Sequence, residues 1–116
     1  MPYEERFINF NLEEVQQAVS IGCVKEGLTA LPDGELTQIE IHDDDPKEKE
    51  FIYFHVKDKK GETHRKQFDR KFFALSLVFY CQGSGIPIPA RGQKTLNIKP
   101  DHIVMGITLE RKAFDG

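Results

Sequence analysis

The residues best suited to chemistry lie between positions 82 and 94, in the stretch QGSGIPIPARGQK. Arg91 and Lys94 flank Gly92 there. An arginine fork grips a phosphate or carboxylate through two parallel bonds, and a lysine adds a point charge. Gly83 and Gly85 look suited to a phosphate cradle, but they follow a predicted helix instead of opening one. A helix C-terminus presents carbonyls and partial negative charge, so any anion here must be held by the cations, with help from the Gly92 N–H. Arg70 and Lys71, near the start of the same helix, join Arg91, Gly92 and Lys94 as the candidate anion- or nucleic-acid-binding set. The competing reading is a rigid connector, in which Pro87 and Pro89 fix the exit path and the cations are solvated.

Other chemistries are weaker. His42-Asp43-Asp44-Asp45 offers an imidazole and three carboxylates, but adjacent residues of an extended chain point in opposite directions. The aspartates lack EF-hand spacing, so they read as a solvated acidic turn. His55 and His64 can face each other across a hairpin, a zinc pair without further ligands. Neither Cys23 nor Cys81 belongs to a CxxC motif, and both read as reduced, buried thiols, with a Cys23–Cys81 disulfide as the minority alternative. Ser76 and Ser84 have no visible histidine and acid. The expectation is a non-enzyme with no catalytic residue, metal or cofactor.

Charge is strongly segregated along the chain. Residues 1–58 carry 5 Lys/Arg against 14 Asp/Glu, whereas residues 59–99 carry 9 against 2. Such separation either builds a basic face that attracts anions or lets acidic and basic segments neutralise each other in the fold. If Phe51, Tyr53 and His55 lie on an open sheet face, they can stack on bases while the neighbouring cations meet phosphates.

The elements that must position these groups are legible from pattern. At 116 residues, 39% of them hydrophobic, the chain has material for one core and one domain, residues 1–116, with residues 1–5 and 111–116 frayed. No stretch approaches the ~18 apolar residues of a membrane span. The acidic start MPYEERF lacks the features of a secretory signal, so a cytoplasmic location is expected. Asn11 predicts a helix start, with Glu14 completing a capping box and Phe10 stapled over Val15. Leu12, Val15, Val19 and Gly22 or Cys23 recur at helical spacing, and Gly27 ends the run. Upstream, residues 6–9 are either a short strand or an ordered lead-in. Thr37, Ile39 and Ile41 alternate with polar residues as in a strand with one dry face. Residues 51–57 form the strongest predicted strand; Asp58-Lys59-Lys60-Gly61 turns the chain into a polar return strand over 62–68.

The stretch 72–81 is apolar or aromatic except for Ser76. Its length, the Asp69 cap and the following glycines and prolines predict a helix, with a left-handed cap at Gly83. Strands over 95–99 and 102–109 follow, joined by a Pro100-Asp101 turn. The expected fold is therefore α+β: a two-layer domain of order α-β-β-β-α-β-β, with one antiparallel sheet of about five strands and both helices on one face.

The end of the second helix and the loop after it resemble small uncharacterised bacterial proteins, a domain of unknown function. The shared residues are Tyr80-Cys81, Ile86-Pro87-Ile88-Pro89, Arg91 and Lys94-Thr95-Leu96, within residues 72–109. The resemblance implies a bacterial domain and transfers no catalytic residue. The function expected from the whole sequence is a protein-interaction module whose partner is another protein or a second copy of the chain (a homodimer). Its expected partner surface is the outer side of the second helix or the strand face, with Phe51, Tyr53, Phe73 and Tyr80 as contact residues. An RNA- or phosphate-binding domain is the alternative, and an enzyme comes third.

Overall fold

The computed structural model describes residues 3–88 and 92–110. Eight elements follow in order: β1 (Tyr3–Asn11), α1 (Leu12–Glu26), β2 (Glu35–Glu40), β3 (Phe51–Lys57), β4 (Thr63–Asp69), α2 (Arg70–Gly83), β5 (Gln93–Ile98) and β6 (His102–Glu110). The α+β class is as expected, but the layout differs. Six strands form two three-stranded antiparallel sheets, ordered β1-β6-β5 and β2-β3-β4, in place of one sheet of five.

The extra strand is the N-terminal segment. Residues 3–5, expected to fray, begin β1, which pairs with β6 without interruption from Tyr3 opposite Glu110 to Asn11 opposite His102. The expected fraying of residues 111–116 concerns a segment outside the described residues. The two sheets approach where the Ile39 N–H donates to the Pro100 carbonyl at 2.9 Å. Pro100 has no N–H to return, so this contact does not grow into a ladder.

Local chemistry explains the helix boundaries. The Asn11 side chain accepts from the Glu14 N–H at 2.8 Å, and Glu14 accepts from the Asn11 N–H at 3.0 Å, closing the capping box. At the other end Gly27 is left-handed (φ 67°), and the Leu28 N–H reaches the Cys23 carbonyl at 2.9 Å. Asp69 caps α2 by accepting from the Lys71 N–H at 2.9 Å. The left-handed residue after α2 is Gly85 (φ 73°), not Gly83, because α2 continues through Gly83. The Ile86 N–H then bonds the Cys81 carbonyl at 2.8 Å, the same motif that ends α1.

The core lies between the helices and the inner faces of both sheets. Phe10, Ile103, Met105 and Ile107 contribute from the first sheet, and Ile52, Phe54, Val56 and Phe68 from the second. Phe73, on α2, meets Phe54 with ring centroids 5.5 Å apart, and Phe68 lies 5.6 Å from Phe54 on another side. Burying each such ring contributes about 1.5–3 kcal/mol before entropy is counted. α1 presents Val15, Ala18, Val19, Gly22 and Cys23 inward; α2 presents Phe73, Ser76, Leu77 and Cys81. The helices touch closely at Gly22, where a Cβ would lie 2.0 Å from Ser76 Oγ. Ser76, a buried polar side chain, is satisfied by donating to the Phe72 carbonyl at 2.9 Å. Cys23 and Cys81 are buried free thiols, as expected, and desolvation raises the pKa of both.

The alternation predicted for β2 is broken by a register shift between Leu36 and Gln38. Leu36 and Ile39 are buried in consequence, while Thr37 is exposed. The Thr37 hydroxyl donates to the His55 carbonyl at 3.1 Å, which ties the irregular stretch to β3.

Candidate functional site

Three surfaces bear on function. The first is the outer face of β2-β3-β4, where strand alternation places Tyr53 and His55 on the side away from the core. Tyr53 was expected to be open to a partner or a base, yet it is only 5% exposed. The chain covers it with its own groups. The Arg65 guanidinium sits 3.8 Å above the ring, and the ring of His42 meets it edge-on at 5.8 Å. The Tyr53 hydroxyl donates to Glu48, and that hydrogen bond raises its pKa.

Glu40 organises the same face. Its carboxylate accepts from Arg65 Nε at 3.2 Å and Nη2 at 2.9 Å, pairs with His55 Nε2 at 2.6 Å, and contacts His42. The Arg65 fork, then the His55 bond, hold the Glu40 pKa down to about 2. The residue in contact with Glu40 thus comes from a strand 25 positions away, and β3 lies between them. Sequence reasoning missed this cluster. The alternation in 51–57 and 62–68 was visible, but which groups converge depends on the register of three strands.

The candidate anion set does not gather into one site. Arg70 and Lys71 open α2, and a 14-residue helix about 20 Å long separates them from the loop beyond its end. Arg70 is engaged already, donating to Asp43 at 2.6 Å and to the Phe51 carbonyl at 3.3 Å. Lys71 and Lys94 are exposed. Gly92 has φ 131° and packs beside the Thr108 carbonyl, while Arg91 lies outside the described residues. The pairs Glu40–Arg65 and Asp43–Arg70 join the acidic half of the chain to the basic segment, so part of the segregated charge is neutralised within the fold.

The histidines expected to face each other are on opposite sides of the second sheet: His55 is opposite Arg65, and His64 is opposite Val56. His64 instead joins Asp58 and Glu62 at the β3–β4 turn, their ligand atoms lying within 4.8 Å of one another. Asp58 accepts from the N–H groups of Lys60 and Glu62, both at 2.9 Å, and from His64 at 2.8 Å. These bonds lower its pKa, the His64 bond most, and account for the cluster as a turn lock.

The second surface is the outer side of the helical layer. Phe73, expected to contact a partner, is fully buried beneath it because its side of α2 faces Phe54. Tyr80 is half-buried, edge-on to Phe10 at 6.2 Å, and Phe51 is also half-buried. The residues that do face outward are different. Val24 is 81% exposed, Leu28 48% and Leu75 38%. Helical spacing puts Val24 on the crest of α1, opposite Val15, Val19 and Gly22, and Leu75 on the crest of α2. Half-buried Ile21 and Phe79 lie at the flanks, where Lys25 Nζ sits 5.0 Å from the Phe79 ring. The signal was present in the sequence: Val24 is apolar at a position where the amphipathic pattern calls for a polar residue.

The third surface is the outer face of β1-β6-β5, centred on Phe7, which is 67% exposed. Its ring covers Gly106, where a Cβ would come within 3.5 Å of Phe7 Cε1 and 2.8 Å of Thr95 Oγ1. Among the described residues no helix is long and apolar enough to cross a membrane. Comparison with protein-family models, with curated proteins and with solved structures gave no match.

Proposed function

We propose that this chain is a non-catalytic protein-interaction module that receives its partner on the outer side of the α1/α2 layer. The observation that carries the reading is a pair of exposed apolar side chains on the crests of two adjacent helices, Val24 and Leu75, with Leu28 exposed just beyond the end of α1. Leaving a large aliphatic side chain in water forgoes about 1.5–3 kcal/mol of burial, which a docking partner recovers. The tight α1–α2 contact at Gly22 holds the crests in fixed relation, so little ordering cost falls on binding. Within the same proposal, the resemblance of the 72–109 region supports a bacterial origin, and the two buried free thiols support a cytoplasmic setting. The RNA- or anion-binding alternative has less support, since Arg65 and Arg70 are each committed to a carboxylate.

Site-specific photo-crosslinking in cells tests the reading. A photoreactive residue at Val24 or Leu75 is expected to trap the same protein, and one at Lys59 is expected not to. Binding of that purified protein should weaken at least about tenfold in Leu28→Glu, as loss of one buried apolar contact requires. Adducts that form equally from all three positions would overturn the proposal. Retention on heparin that collapses with salt, without such adducts, would favour the anion-binding alternative.

A further inference from the structure

The two sheets expose four edges, and three of them are protected. β2 is interrupted by its register shift, its Leu36 N–H is taken by Gln16 Oε1 at 3.0 Å, and its Ile39 N–H is taken by Pro100. β4 carries His64-Arg65-Lys66 at its centre, so a second β4 laid antiparallel would set cation against cation. β5 has six residues, with Lys94 inside it and Lys99 just beyond its end. β1 is different. It runs nine residues in unbroken register, with no proline, lysine or bulge; its charges, Glu4, Glu5 and Arg6, are confined to its first half, and it pairs only with β6 among the described residues. Proteins blunt an edge of that kind unless it is used.

We infer that β1 is a self-pairing edge, joining a second copy of this chain antiparallel about a two-fold axis through Phe7 and making one six-stranded sheet. Phe7 is the midpoint of Tyr3–Asn11, so this register pairs the whole strand. A two-fold axis normal to the sheet keeps each residue on its own face, so only registers centred on a residue are allowed. Centring on Glu5 opposes two glutamates and centring on Arg6 opposes two arginines. Centring on Phe7 opposes Arg6 to Ile8, Glu5 to Asn9 and Phe7 to Phe7, with no like charges facing. The two exposed rings meet on the open face, each lying over its own Gly106. Aromatic cross-strand pairs of this geometry are favourable, and opposed like charges are not. This edge is separate from the α1/α2 surface, so the two proposals stand or fall independently.

Sedimentation of the full chain tests the inference. The expected result is a reversible dimer whose dissociation constant rises about tenfold in Phe7→Lys, where two ammonium groups face each other. Asn9→Lys should instead tighten it, because each new lysine meets Glu5 of the other copy. Under mild oxidation Phe7→Cys should form a covalent dimer, since directly opposed Cα atoms lie within disulfide range; Asn9→Cys should not. Because Phe7 and Asn9 are exposed, near-UV circular dichroism should show that each variant keeps the fold. A chain that stays monomeric up to about 1 mM overturns the inference. So does a dimer indifferent to Phe7→Lys, or one that Asn9→Lys weakens.

Discussion

Replacing Gly22 with alanine probes the contact on which the helical layer depends. An alanine Cβ would lie 2.0 Å from Ser76 Oγ, 2.9 Å from Ser76 Cβ and 3.1 Å from Phe72 Cζ. The hydroxyl can rotate away, but Ser76 Cβ is fixed to the α2 backbone, so the helices must separate or shift. Overpacking of this kind costs about 1–3 kcal/mol. Alanine also removes the penalty of glycine inside a helix, which returns about 1 kcal/mol. The net expectation is destabilisation by about 0–2 kcal/mol. Urea unfolding followed by circular dichroism measures it, with an unchanged m-value showing that the two-state comparison is fair. The partner substitution sharpens the test. Ser76→Gly removes both atoms of the clash, so Gly22→Ala with Ser76→Gly should lose less than the sum of the single variants, by at least about 1 kcal/mol. A Gly22→Ala chain more stable than the parent, or strictly additive changes, would refute the close-approach argument.

Two further predictions rest on titratable groups. Glu40 has its pKa pushed down to about 2 from the usual 4.5, so its pairing stabilises the fold fully above pH 4.5 and is lost as pH falls towards 2. Because the pair is partly exposed, screening reduces the contribution to about 1 kcal/mol. Glu40→Gln should therefore lower stability by that amount at pH 7 and remove this component of the acid dependence, as read from urea midpoints at pH 7, 4.5 and 3; identical slopes in both proteins would count against the cluster. Cys23 and Cys81 are buried with raised pKa values, so under native conditions at pH 8 both should react with a thiol reagent far more slowly than free cysteine, becoming fast in urea. Fast native labelling of either, followed by mass spectrometry, would contradict its burial.

What the sequence determined by itself is the local grammar of the chain. The Asn11–Glu14 box, the Asp69 cap, the stop at Gly27 and the Gly61 turn each depend on groups within a few residues of one another, so composition and spacing suffice to find them. The strand at 51–57 was equally plain, because its alternation is intrinsic. Tertiary structure decided the rest. β1 became a full strand only because β6, about a hundred residues away, offers it a matching edge. The strands divided into two sheets, which meet at the bond from the Ile39 N–H to the Pro100 carbonyl in the β5–β6 turn. Tyr53 left the surface, and Glu40 gained its partners, through the register of three strands, and Phe73 was taken into the core by the side of α2 that Phe54 occupies. Each of these outcomes is a pairing between distant segments, and a pairing energy is defined only once both partners are in place.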